Sequence, residues 1–516
     1  MPYEPDFAEP ETIGQRVRCI FPNKRFATWG KWPPNVFAVA ASILSTSGGY
    51  ASIVDDWRDR RKWQKTADEV GGKWRRTFEQ RKRPPAAVLK AWRLVQASFG
   101  QPLLASREGA LRDALVELIV FADEASAGVG IPHTDRNEIR FNAMNFLLET
   151  GTITPEIPRT LLRVLPKQHT PTAGVTLRSL THHLSLLESS EVVVRWNWIP
   201  GPEGLKDRNL LIIPWPYSIK SKDFKIRKLE AGRAREFDYA PSADDPTVLA
   251  EEISRLLAKA KKKGIPIHGI VLPESSMSLE SLRAASEIAR RAEAFLVGGV
   301  RDRTVRSNKP LNRAAMHFYS DETRQMVGLR QSKHHRWKLG TQQIKQYGLS
   351  RALGTNDVWE STTISRRTVN FICLSTDFVI CCMICEDLAR QDPIADVVRI
   401  VGPNLVIALL LDGPQIKVRW PGQYASVLSD DPGSSVLTLS SKGMVERSKP
   451  LKKAKASKSI ALWKDAINGA REISLTRRNS AAIIKLGTKA ANEVTIDGRR
   501  DGGTTYYPVV NEVIRI

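Results

Sequence analysis

Between residues 209 and 300 apolar runs and amphipathic helices alternate, and few architectures accept that pattern. Asn209-Leu-Leu-Ile-Ile-Pro-Trp215 is an apolar run. Residues 218–245 read as a polar loop. Asp245 then supplies an N-cap and Pro246 a first helical position. Val248, Leu249, Ile253, Leu256, Leu257 and Ala260 recur at helical spacing behind them. Lys261–Lys263 suit a helix C-terminus, and Gly264 with Pro266 ends the helix. Ile267–Leu272 is a second apolar run, Ser278 to Ala292 a second helix, and Ala294–Val300 a third run. Strand, helix, strand, helix, strand predicts an α/β domain with at least partly parallel pairing.

The same grammar continues downstream. Arg313–Phe318 and Gln325–Leu329 read as paired strands, and residues 340–361 as a long polar loop. Val369–Leu374 and Phe378–Ile384 are two strands joined by a turn at Thr376-Asp377. Asn404–Leu411, Ser434–Leu439 and Ala482–Leu486 are further strands, and residues 442–458 a Lys- and Ser-rich loop. The run from Phe378 stops abruptly at Cys385, ahead of Glu386 and Asp387. A continuous apolar run is a strand buried on both faces, and its end is where α/β enzymes place reactive groups.

The first 190 or so residues are different. Residues 1–35 look irregular. Asn35–Leu44 is an apolar helix that Gly48-Gly49 would stop. Leu104, Leu111, Leu115, Leu118 and Ile119 mark another helix, with shorter ones over Phe141–Leu148 and Pro158–Leu165. The expected organisation is a mainly helical region over 1–194, a linker over 195–208 around Pro200-Gly201-Pro202, and an α/β domain over 209–516.

Charge adds one constraint. The chain carries 78 Lys and Arg against 55 Asp and Glu, a formal net charge of +23. Such an excess favours anionic partners. Residues 57–83 hold eleven cations and four acids, with Trp57, Trp63 and Trp74 interleaved. Cations on phosphates with indoles on bases would be a nucleic-acid surface; the pattern reads rather as core tryptophans under a solvated charged face. A nucleic-acid or protein partner through the basic N-terminal region is therefore one expectation.

Other classes drop out. The five cysteines are odd in number and four crowd into residues 373–385. They form neither a disulfide framework nor a zinc site, so no metal is expected, and a reducing cytoplasm is the expected location. His182-His183 are adjacent, a poor arrangement for ligating one ion. No apolar stretch approaches the roughly 20 residues a membrane span needs, and Met-Pro-Tyr-Glu-Pro-Asp is not a secretory signal.

Three reactive residues stand at strand ends or in the loops that follow: Glu274 in Leu-Pro-Glu, Lys333 in Ser-Lys-His-His, and Cys385 in Ile-Cys-Glu-Asp. In this order and context they resemble the catalytic set of the nitrilase superfamily of carbon–nitrogen hydrolases. The resemblance covers about residues 207–516. The Ile-Cys-Glu-Asp context looks most like the glutamine-amidase domain of glutamine-dependent NAD synthetases, without the synthetase half. Glu360, in Trp-Glu-Ser, sits where the family keeps a second glutamate. Asn312 falls where members carry an asparagine before a strand. The resemblance implies a four-layer α-β-β-α sandwich, a homo-oligomer, a small amide substrate, and no cofactor or metal.

The chemistry explains the residue types. A carboxylate beside a thiol can take its proton, and an ammonium favours the thiolate. Glu274 would serve as base and then as acid to the departing amine. Lys333, with the Glu386 backbone N–H, would hold the tetrahedral oxyanion. Glu360 would position the hydrolytic water. Lys338 is the alternative cation. Asp412–Pro421 stands where the family's pocket loop lies, and Lys417, Arg419 and Trp420 there would suit an anionic or planar substrate. Three functions remain open at this point. They are amide hydrolysis through a Cys385 thioester, acyl transfer to an amine, and a sensing or structural component of a nucleic-acid-associated assembly. Nitrilase-like domains of the last kind occur fused to modules of bacterial antiviral systems.

Overall fold

A computed structural model describes residues 11–53, 60–130, 138–171, 174–199, 207–227, 234–242, 244–303, 309–321, 323–375, 377–449 and 457–516. Trp57 to Asp59, Pro200-Gly201-Pro202, Thr376 and the middle of the 442–458 loop lie outside the described residues. The chain forms two compact units. One comprises Met1–Glu191, Arg399–Gly402 and Ala490–Thr505; the other comprises Val192–Val398, Pro403–Lys489 and Tyr506–Ile516.

The first unit is mainly helical. Its central helix, Gly109–Ala125, is packed by Pro33–Ser47, Arg60–Glu79 and Ala86–Ala97. The Gly48 C-cap adopts φ 73°, a left-handed value that glycine takes without a Cβ penalty. Residues 13–20 and 26–29 are helices where irregular chain was expected. Thr12 and Gln15 form a capping box that starts the first of them. Trp29 stacks on Phe21 with ring centroids 4.5 Å apart. Local capping and aromatic packing thus order a segment whose composition looks loop-like. Leu162–Pro166 is a strand, not the end of a helix, and pairs antiparallel with Leu184–Glu188. Trp63 and Trp74 are both buried, while Arg61, Lys62, Lys65, Lys73 and Arg76 of the same helix are exposed. Trp63 and Trp74 are therefore core residues.

The second unit is built on two seven-stranded sheets. In the first the strand order is Gln325–Ser332, Pro310–Ser320, Phe295–Arg303, Gly269–Val271, Arg208–Ile212, Ala482–Ala491, Thr505–Arg515. In the second it is Gly469–Ser474, Ser459–Asp465, Ser435–Ser440, Leu405–Leu410, Phe378–Ile384, Thr368–Ser375, Val193–Trp198. The last of these strands lies at the start of the stretch expected as a linker, and it pairs parallel with Thr368–Ser375. Its alternating Val, Trp and polar residues suit a sheet edge.

One core lies between the sheets. Ile212, Val297 and Met316 from the first meet Ile380, Cys382, Ile407 and Leu437 from the second. Phe378–Ile384, Leu405–Leu410 and Ser435–Ser440 are buried at every position, as their uninterrupted runs require. A second core fills the outer face of the first sheet. There Leu249, Ile253 and Leu256 of the Pro246–Lys262 helix and Leu282, Ala285 and Ala289 of the Leu279–Arg291 helix pack on Leu211, Ile270 and Leu296. Helix Trp420–Asp430 packs on strands Ser435–Ser440 and Ser459–Asp465 of the second sheet. The layers run α-β-β-α.

Two polar stretches expected as loops contain structure. Val358–Glu360 and Glu236–Tyr239 pair parallel in a four-stranded sheet with Lys338–Leu339 and Phe224–Arg227. Thr341–Gln346 and Ser350–Leu353 are short helices. Phe224, Phe237, Trp337, Ile344 and Tyr347 give this subdomain its own small core. Its apolar residues are too dispersed along the chain to show a period. No helix among the described residues is long and apolar enough to cross a membrane.

Candidate active site

The strands converge three expected residues on one point. Glu274 follows Gly269–Val271, Lys333 follows Gln325–Ser332, and Cys385 follows Phe378–Ile384. The loop bearing Glu274 lies directly on Gly299. A Cβ there would come within 2.4 Å of the Glu274 Cα and 2.3 Å of the Ser275 nitrogen. The second glycine of Val-Gly-Gly-Val is thus a steric requirement of the site, and its function is invisible from sequence.

Lys333 is fully buried between two carboxylates. Its Nζ donates to Glu274 Oε1 at 2.8 Å and to Glu360 Oε2 at 2.7 Å. An ammonium has three N–H groups, and the third takes no partner among the described residues. Asn312 Nδ2 donates to Glu274 Oε1 at 2.7 Å and to Glu360 Oε1 at 2.8 Å. The Leu411 backbone N–H donates to Glu274 Oε2 at 2.8 Å, and that of Trp337 to Glu360 Oε2 at 3.1 Å. Arg301, which sequence reasoning missed, reaches Glu360 Oε1 at 3.3 Å and Asp238 at 2.6 Å. Three acids, Glu274, Glu360 and Asp238, thus share two cations, Lys333 and Arg301, and each buried charge has a partner to offset its desolvation. Lys338, the alternative cation, is instead paired with Asp357 at 2.9 Å and half exposed.

Cys385 is 1% exposed and sits at φ 47° in the first position of a tight turn, Cys385–Leu388. That left-handed value is strained for a residue with a side chain and is the kind of backbone that clusters at functional positions. Asp387 anchors the turn to the lysine loop. Its carboxylate accepts the backbone N–H of His334 at 3.1 Å, that of His335 at 3.0 Å, and faces His335 Nδ1 at 3.0 Å. The second acid after the cysteine thus fixes Lys333 relative to Cys385. Glu386 turns its own carboxylate to Arg390 at 2.9 Å. The other cysteines of the segment, Cys373, Cys381 and Cys382, are core residues.

The electrostatics follow from burial. Burial pushes the Glu274 carboxyl above its ordinary value, and Glu360 adds to this, against the pull of Lys333. Burial acts the same way on Glu360, but Lys333 and Arg301 outweigh it and hold that group at about 2. Burial also raises the Cys385 thiol well above its usual value. Glu274 raises it further, while Lys333 opposes. Burial alone would lower Lys333, but Glu274, Glu360 and Cys385 raise it well above 10.5. The site therefore combines a thiol, a firmly charged ammonium, one carboxylate locked as an anion and, in Glu274, a carboxyl of raised proton affinity.

Of the residues read as substrate-binding, Asn312 lies within the Glu274–Glu360 cluster, and the other three lie on the loop and helix that follow Asp412. Arg419 is committed to Asp412 at 2.9 Å and to the Pro414 carbonyl at 3.0 Å. Lys417 is exposed, and its backbone N–H bonds Glu472. Trp420 packs against the inter-sheet core and meets Tyr424 edge-on. Arg419 is thus taken by Asp412, while the helix that begins at Trp420 packs against the Cys385–Leu388 turn. Among the described residues no group of His, Cys, Asp and Glu could hold a metal ion.

No family model matches the chain, and no curated protein does. Solved structures do. Nit3 of Saccharomyces cerevisiae, described as a member of branch 10 of the nitrilase superfamily, aligns at 10% identity. It covers 55% of this chain and 90% of its own, with a TM-score of 0.36. A CN-hydrolase superfamily protein of Xanthomonas campestris aligns at 12% over 54% of this chain and 90% of its own, TM-score 0.33. A carbon–nitrogen hydrolase of Helicobacter pylori aligns at 12% over 52% and 86%, TM-score 0.32. These neighbours are all nitrilase-superfamily or carbon–nitrogen hydrolase proteins. The four-layer arrangement itself stands on the strand order and cores of this chain, and nothing about substrate is taken from the neighbours.

Proposed function

We propose that this chain hydrolyses the carbon–nitrogen bond of a small amide through a thioester on Cys385. The observation that carries the reading is the fully buried Glu274–Lys333–Glu360 cluster beside a cysteine held at a left-handed turn. Burying such charges costs desolvation that apolar residues of similar volume would not incur, and here the charges surround a thiol.

The steps balance as follows. Glu274 takes the Cys385 proton as sulfur attacks the amide carbon. The C=O π pair moves to oxygen, and the third N–H of Lys333 stabilises the oxyanion with the Glu386 backbone N–H. Collapse breaks the C–N bond, and Glu274 returns the proton to the leaving amine. Water then attacks the thioester, gives its proton to Glu274, and the carboxylic acid leaves as the thiol is restored. Glu360 stays ionised throughout and holds the ammonium in place. An amine acceptor in the second half would make the same intermediate an acyl donor.

Wild type incubated with a panel of primary amides is expected to gain the mass of an acyl group at Cys385, and Cys385→Ala to gain none. Peptide mapping is the readout, because Cys19 is a second, exposed free cysteine. An unmodified Cys385 with every amide would overturn the reading.

The pH dependence has a definite sign. Glu274 must be ionised to accept the thiol proton, and its carboxyl lies above the ordinary 4.5. The acid limb of kcat/KM should therefore fall at a pH above that value. Lys333 lies well above 10.5, so its deprotonation should give no alkaline limb below that pH. A pH–rate profile checks both; a loss of rate centred at or below pH 4.5 would exclude Glu274 as the base.

A further inference from the structure

The loop after Leu405–Leu410 carries a carboxylate that the thioester chemistry does not use. Ile384 pairs with Leu409 in parallel register, so Cys385 runs beside the end of that strand and Asp412 follows just beyond it. The Leu411 N–H is bonded to Glu274 Oε2, which sets Asp412 one residue from the candidate base. Ser440 Oγ accepts the Asp412 N–H at 3.2 Å and pins the backbone.

Asp412 is 3% exposed. Its Oδ1 is filled by Arg419 Nη2 at 2.9 Å and by the Tyr347 hydroxyl. Its Oδ2 is out of contact with solvent and has no hydrogen-bond partner among the described residues. A buried carboxylate oxygen left unpaired is costly and uncommon. The negative charge of Asp412 is also felt at Cys385, alongside Glu274 and Glu386, with Lys333 as the opposing cation. An ionised carboxylate accepts and never donates, so its complement is a donor. These acids oppose an anion at the sulfur, and the unpartnered Oδ2 calls for a donor.

We propose that Asp412 Oδ2 receives an ammonium or guanidinium group on the acyl part of the substrate, so that the site selects cationic amides. This rests on the amidase reading and names the substrate class for it. It departs from the sequence-based expectation of an anionic or planar substrate. That expectation counted Arg419 as available, whereas Arg419 is spent on orienting Asp412.

Three primary amides of similar size separate the outcomes: 4-aminobutanamide, butanamide and succinamate. Wild type is expected to show kcat/KM about 10- to 100-fold higher for the ammonium-bearing amide than for the neutral one, with the anionic one lowest. Asp412→Asn should bring the ratio of cationic to neutral amide towards one. Equal or better turnover of butanamide by wild type, or an unchanged ratio in Asp412→Asn, would overturn the inference while leaving the amidase reading standing. Should Asp412→Asn not fold, the wild-type ranking alone decides.

A separate readout covers failure of the chemistry itself. If wild type turns over none of the three amides, the amidase reading is decided by the wider amide panel. Protection of Cys385 from iodoacetamide then still reports on Asp412. Protection by 4-aminobutanamide at concentrations where butanamide gives none supports a cation site, and equal protection or none rejects it.

Discussion

Lys333→Met is expected to lower kcat/KM by about 10³-fold or more and to destabilise the fold by about 3–5 kcal/mol. The two effects have one origin. Lys333 Nζ is the shared donor to Glu274 and Glu360, 2.8 and 2.7 Å away. Without it, Arg301 is left to balance two buried glutamates and Asp238. The double variant Glu274→Gln/Lys333→Met separates stability from chemistry. It removes one charge of each sign, so the thermal midpoint should recover a large part of the loss. Activity should not recover, because both the base and the oxyanion donor are gone. Thermal unfolding and acyl-adduct formation, measured on the two single variants and the double, form the cycle. Retained acylation in Lys333→Met would remove the lysine from the proposed mechanism.

The second large effect lies in the helical unit. Arg499→Met is expected to cost about 3–5 kcal/mol. Arg499 is fully buried. Its Nε donates to Asp497 Oδ2 at 2.8 Å, Nη1 pairs with the Glu124 carboxylate, and Nη2 donates to the Leu180 carbonyl. Asp123 is 3.9 Å away. Asp497 also accepts the Trp63 indole N–H at 2.7 Å, so loss of the guanidinium strands several acids at once. The penalty should depend on pH with a defined sign. Burial raises the Glu124 carboxyl to about 7, against the pull of Arg499. Without the arginine it rises further. Below about pH 6 Glu124 is then protonated and needs no counter-charge, whereas at pH 8 its ionisation must be paid for in stability. The drop in melting temperature caused by Arg499→Met should be larger at pH 8 than at pH 5.5. An equal drop at both would assign the loss to packing alone.

The strand ends were legible because the runs before them are apolar without interruption. Phe378–Ile384 stops at Cys385, and Ile267–Leu272 stops just before Glu274, so the strand-end positions can be read by eye. The helices flanking the first sheet were legible for a similar reason: Asp245 and Ser278 both cap, and their side chains accept the expected backbone N–H groups. The tryptophans of Arg60–Glu79 were ambiguous because Trp63 and Trp74 are about three turns apart, a spacing shared by a buried face and a stacking stripe. Only the neighbouring helices decide between them. Arg301 and Asp238 carried no local signal. One lies in the last part of a strand, the other in a stretch that reads as polar loop, and their role appears only once Arg301 is seen to pair with both Asp238 and Glu360. The same holds for Asp387, whose partners are backbone groups of a loop distant in sequence. Arg419 was the instructive case. Its charge was plain, but whether a cation is available depends on what it already holds.

The helical unit closes around Arg499, which the chain delivers only after the second sheet and most of the first have been built. Glu124, Asp123 and Leu180 lie more than 300 residues earlier, as the separations of 375 and 319 positions for two of these contacts record. A recombination event or gene fusion that joined the chain near residue 191 to an unrelated partner would carry off the acids and leave their cation behind. The helical unit is therefore not a portable module. Its inheritance is tied to the segment between the last two strands of the first sheet, and a homologue that loses one should have lost or rebuilt the other.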